Sequence, residues 1–177
     1  MGGCFFVSDL HGREDRYRKL FAAMEREIPS AVFMGGDLFP SGLGSAAGAG
    51  EYESFVEDFL APGFLRLRSG LGPECPPVFL IPGNDDARTE EEALGRQEAR
   101  GLWRQVHDAA ASWGDYAVYG YAFVPPTPFM LKDWERYDVS RYLDPLCVAP
   151  EEGWLTVPVA ESVLKPQTIQ SDLERLT

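Results

Sequence analysis

Cys4-Phe5-Phe6-Val7-Ser8-Asp9-Leu10-His11-Gly12 passes from a short apolar, partly β-branched run straight into polar residues and a glycine. A buried parallel strand ends in this way. A helix follows from about Glu14 to Ile28, with Tyr17, Leu20, Phe21, Met24 and Ile28 on one face at helical spacing. Pro29-Ser30 stops it. Ala31-Val32-Phe33-Met34 is a second strand, and Gly35-Gly36-Asp37 is its exit loop. Strand, helix and strand in this order predict a right-handed parallel crossover, hence an α/β fold.

The rhythm continues outward from that unit. Ser41 to Gly50 is nearly all Gly, Ala and Ser and reads as a flexible loop inside the domain. Glu51 to Leu60 reads as a short amphipathic helix with Tyr52, Phe55, Val56 and Phe59 inward, followed by a Gly/Pro-rich passage to Pro77. Val78-Phe79-Leu80-Ile81 is the third strand, and Pro82-Gly83-Asn84-Asp85-Asp86 leaves it. Glu90 to Ala111 reads as a long helix that carries His107. The acidic run from Thr89 to Ala93 forms its N-terminus, where the helix dipole favours negative charge. Ala117 to Val124 alternates and reads as a fourth strand. Pro125-Pro126-Thr127-Pro128-Phe129 is irregular, and Ile169 to Leu176 opens a last helix capped by Thr168 or Ser171. The aromatics around Trp134, Tyr137 and Tyr142 read as core or lid.

Composition bounds the class. The chain has 177 residues, 45% hydrophobic and 25% charged, which suits one soluble domain. Its net charge of -12 argues against a nucleic-acid backbone or an anionic membrane as the main partner. An anionic substrate stays open, because bound cations reverse the local field. Cys4, Cys75 and Cys147 are odd in number and contain no CxxC, against a disulfide framework or a zinc-thiolate site. No apolar run approaches the roughly 20 residues of a membrane span, and the N-terminus lacks a basic signal region. Met1-Gly2 is followed by Phe6 where a myristoylation motif wants Ser or Thr. A cytoplasmic protein is expected.

Three loops hold the chemistry. Asp9 and His11 stand at i and i+2, a spacing that turns both to one side in an extended exit loop. Asp37 follows the next strand, where a carboxylate can bridge two cations. Asn84 follows the third and offers a neutral carbonyl oxygen. All three loops sit at strand carboxyl ends, where an α/β sheet places its chemistry. Carboxylate, imidazole and amide ligands suit divalent ions. Two of them about 4 Å apart would activate water and clamp the oxygens of an in-line displacement at phosphorus. Arg13 could meet a phosphate oxygen, or pair with Glu14 or Asp15 at the surface. Taken singly, each motif is also what a surface turn or Asx turn looks like.

Ser-Asp-Leu-His-Gly, then Gly-Gly-Asp, then Pro-Gly-Asn, in that order, resembles the calcineurin-like metallophosphoesterase superfamily. The resemblance covers residues 4 to about 86 and continues weakly through Tyr119-Gly120-Tyr121. It implies a four-layer αββα sandwich and two divalent metals, usually manganese, iron or zinc. It implies that Asp9 and His11 hold the first metal, that Asp37 bridges, and that Asn84 holds the second and faces substrate. The family has a histidine after the asparagine, as the acid for the leaving group. Asp85 stands there in this chain, and Asp86 matches the acidic position that orients that histidine. These two are the candidate catalytic residues. A carboxylate is a weak acid at neutral pH unless its pKa is raised.

The family's later histidine and Gly-His-x-His motif have no counterpart here. His107 is the only histidine besides His11 and is expected to be a solvated or capped helix residue. Residues 1–177 therefore read as a single phosphoesterase domain lacking its C-terminal strands, a partial αββα sandwich. The expected function is metal-dependent hydrolysis of a phosphomonoester or phosphodiester. The alternative is a non-catalytic remnant that binds one metal weakly or acts through protein contacts, with self-association through an exposed edge. No nucleic-acid platform is expected.

Overall fold

The computed structural model describes residues 2–41, 52–158 and 168–177. The glycine-rich loop read at 41–50 therefore lies outside the described residues, apart from Ser41. Four strands form a parallel sheet in sequential order: β1 (Phe5–Val7), β2 (Val32–Gly35), β3 (Val78–Ile81) and β4 (Arg104–Gln105). Helix α1 (Glu14–Glu27) joins β1 to β2. A π-helical turn (Val56–Leu60) runs into α2 (Ala61–Leu71) between β2 and β3, and α3 (Glu91–Ala99) precedes β4.

Alternation along β2 and β3 explains the layering. Val32, Met34, Val78 and Leu80 face Tyr17, Leu20 and Met24 of α1, Phe64 and Leu67 of α2, and Leu94 of α3 in one buried cluster. Phe33, Phe79 and Ile81 face the other way, onto Ala111, Trp113 and Val118. The last three belong to an antiparallel hairpin, β5 (Ala109–Trp113) and β6 (Tyr116–Gly120). Both faces of the central strands are thus apolar, as in a parallel sheet covered on both sides. Helices, parallel sheet and hairpin make three successive layers of the expected sandwich. The hairpin does not cover β1, where Phe6 is 72% exposed.

Two stretches depart from the sequence reading. The Gly/Pro-rich passage after Leu60 is mostly α2, because Pro62 falls in its first turn, where no N–H is needed. Gly63 lets the ring of Phe21 pack on that helix: a Cβ there would overlap it. The long helix expected over Glu90–Ala111 stops at Ala99. Gly101 takes φ +76°, and Arg68 donates to the carbonyls of Arg100 and Gly101 at 3.3 and 2.8 Å. The chain then re-enters the sheet as β4, and Ala109–Ala111 join the hairpin.

Among the described residues, the remainder is largely irregular. Pro125 to Phe129 contains no helix or strand. Helix α4 (Ile169–Leu176) opens on a Thr168 capping box with Ser171. Its Asp172 receives Tyr121 Oη at 2.6 Å and the guanidinium of Arg136.

Candidate metal centre

The exit loops of the first two strands are sewn together by backbone hydrogen bonds. Asp9 N donates to Gly36 O at 3.1 Å, His11 N to Asp37 O at 2.8 Å and Gly12 N to Leu38 O at 2.9 Å. This ladder extends the β1–β2 pairing past the strands. It brings a carboxylate oxygen of Asp9, an imidazole nitrogen of His11 and a carboxylate oxygen of Asp37 within 4.8 Å of one another. The i, i+2 pair converges by a different route from the extended loop expected. Asp9 and His11 take φ of +57° and +49°, and Asp37 takes +53°. Left-handed backbone at a non-glycine residue costs on the order of 1–2 kcal/mol. The cost falls here on the three residues whose side chains converge, as is common at functional sites.

Close backbone approach makes the convergence possible. Gly36 has φ +99°, and a Cβ on it would lie 2.8 Å from Gly83 Cα. A Cβ on Gly83 would overlap both the backbone nitrogen and Oδ1 of Asp37.

Asp86 is the strut between the loops. It is fully buried. Its carboxylate accepts the N–H groups of Leu38 at 3.0 Å, Phe39 at 2.7 Å and Gly83 at 2.8 Å. Burial raises its pKa to about 6 against the pull of those amides, and the nearby Asp37 charge adds to the rise. All of its hydrogen bonding goes to backbone that carries Asp37 and Asn84. From the other side, Tyr17 Oη donates to Leu38 O at 2.7 Å. Burial, with the Asp86 charge, pushes the Tyr17 phenol well above its usual range.

The other candidates are placed as follows. Asn84 is half-buried in the turn between Gly83 and Asp85. The Asp85 backbone N–H donates to Asp37 Oδ1 at 3.1 Å. Its side chain lies 3.3 Å from His11 Nδ1 and accepts from Ser41 Oγ at 3.0 Å. Arg13 is turned to Asp15, with Nε 3.2 Å from Oδ1, which is the surface pairing. Arg16, not singled out from sequence, donates to the Asp9 carbonyl. Neither Arg16 nor Tyr17 carries a motif. Their place in the first turn of α1, directly after the Asp9–Gly12 loop, was the available signal.

His107 corrects the sequence reading. It follows β4, bridges to Gly120, and packs against Phe123 and Trp134 at 5.0 Å between ring centroids. It is not helical, it is half-buried, and it is not among the converging ligands. Its Nδ1 accepts the Ala122 N–H at 3.0 Å. Burial drives its pKa down to about 4.

The donor set fits a divalent ion. Two carboxylates and an imidazole offer hard oxygen and borderline nitrogen to one point, a mixture that manganese, iron and zinc accept.

The family model for calcineurin-like phosphoesterase matches residues 5–155. No curated protein matches the chain. TT1561 of Thermus thermophilus, a solved structure, is 18% identical, with a TM-score of 0.49, over 81% of this chain and 70% of its own. A second solved structure is 17% identical with a TM-score of 0.43, and the match spans 67% of this chain and 51% of that one. The chain thus corresponds to about half the length of that structure.

Proposed function

Because the chain belongs to the calcineurin-like phosphoesterase family, we propose that it hydrolyses a phosphomonoester or phosphodiester at a centre of two divalent cations. The observation that carries this reading is the convergence of Asp9, His11 and Asp37. Asp9 and His11 would hold one cation, Asp37 would bridge, and Asn84 would add a neutral ligand to the other. When bound, such cations supply Lewis acidity to phosphoryl oxygens and lower the pKa of water. The protein's own part is positioning. Asp86 and Tyr17 fix the backbone after Asp37, and the β1–β2 ladder fixes Asp9 and His11 against it. Arg13 would leave Asp15 to meet a substrate oxygen, at small cost because that ion pair is exposed to solvent.

The test is hydrolysis of p-nitrophenyl phosphate and bis-p-nitrophenyl phosphate by the metal-stripped chain, with manganese, iron or zinc added back. Turnover that appears with an added ion and vanishes with chelator is expected. Turnover indifferent to ion and chelator, or none with any ion, overturns the reading.

A further inference from the structure

We propose that Asp85 is a positioning residue whose carboxylate holds the proton of His11 on Nδ1, so that Nε2 presents its lone pair to the metal; this rests on the metal reading above. The two ring nitrogens of His11 face different carboxylates. Nε2 lies 4.0 Å from Asp9 Oδ1, and Nδ1 lies 3.3 Å from Asp85 Oδ2. A neutral imidazole carries one proton, and the partner of one nitrogen decides which atom is free to ligate. Metal-binding histidines ordinarily give their second N–H to such a partner, which fixes ring orientation and raises ligand basicity.

Asp85 is itself held. Ser41 Oγ donates to its Oδ1 at 3.0 Å, and its backbone N–H donates to Asp37 Oδ1. Asp85 thus lies against two of the three candidate ligands, with its carboxylate beside the His11 ring and its backbone N–H on Asp37.

With two histidines in the chain, the prediction can be read directly by two-bond proton–nitrogen NMR of the metal-free protein at pH 8. His107 is the internal reference: its Nδ1 accepts from Ala122, so it carries its proton on Nε2. His11 is expected to show the opposite tautomer, Nδ1–H. In Asp85→Ala that preference is lost, and manganese affinity falls about 10- to 100-fold. Asp85→Asn, whose amide oxygen still accepts from Nδ1–H, is expected to keep the tautomer and lose less affinity. Asp85→Leu keeps the bulk without an acceptor, and the same loss of tautomer and affinity is expected there should the alanine variant fold poorly. An unchanged His11 tautomer in Asp85→Ala, or unchanged manganese affinity, overturns the proposal. Should the wild type take up no ion, the metal reading fails, yet the tautomer comparison still decides whether Asp85 governs His11.

Discussion

Gly83 and Asp37 are packed so closely that a side chain on the glycine would occupy the space of the Asp37 backbone nitrogen and carboxylate oxygen. The β3 exit loop therefore forms one wall of the position that Asp37 occupies. Gly83→Ala is expected to push Asp37 aside, because the obstructing atoms include rigid backbone. Isothermal titration with manganese should show at least about tenfold weaker binding, in line with losses on disturbing groups that hold metal ligands. Wild-type affinity in the folded variant would mean that Asp37 can move without consequence.

Asp86 gives a stability prediction. Asparagine there keeps one acceptor oxygen for three amides and turns an NH2 group toward donors. Leaving buried N–H groups unsatisfied costs about 1–3 kcal/mol. Asp86→Asn should lower the unfolding free energy read from urea denaturation by an amount in that range, at pH 7.5 and without metal. A midpoint within error of wild type would show that the strut is dispensable.

His107 predicts how stability responds to acid. Its folded pKa, about 4, lies below the ordinary value of 6.5. The unfolded chain thus takes up the proton first as pH falls. The contribution is fully present above pH 6.5 and is lost progressively toward pH 4, amounting to at most about 3 kcal/mol. Burial is the largest cause, Arg88 and Arg136 act with it, and together they outweigh Asp108 and Asp172, which favour the proton. His107→Gln keeps a side-chain acceptor for Ala122 but has nothing to titrate. The stability advantage of wild type over this variant should therefore shrink between pH 6.5 and pH 4.5 in urea denaturation. Asp86 acts in the opposite sense, since its raised pKa favours the fold at low pH, and it cancels in the comparison. An advantage that does not change with pH would contradict the burial of a neutral His107.

The first three strands and their ligand loops were legible because their signals are local. An apolar run ending in Gly-Asp or Asp-x-His states both the strand and its exit. The signals that misled were local too. Ala109-Ala110-Ala111 favours helix by propensity, but pairing with β6 decides its state, and the Gly114-Asp115 turn was the hint of a hairpin. Pro62 and Gly63 suggested a loop where a helix begins. The supports of the site were not legible in principle. Asp86 meets Phe39 across 47 positions and Tyr17 meets Leu38 across 21, and neither pairing leaves a periodic trace.

We assign Asp9, His11 and Asp37 to one metal site. Asp37→Asn tests it most directly, since the change removes a charge and keeps the shape. Manganese binding to wild type and variant, measured by titration with the urea midpoint taken alongside, should show binding lost or weakened by at least about tenfold and a fold largely intact. Equal metal content in both proteins would contradict the site.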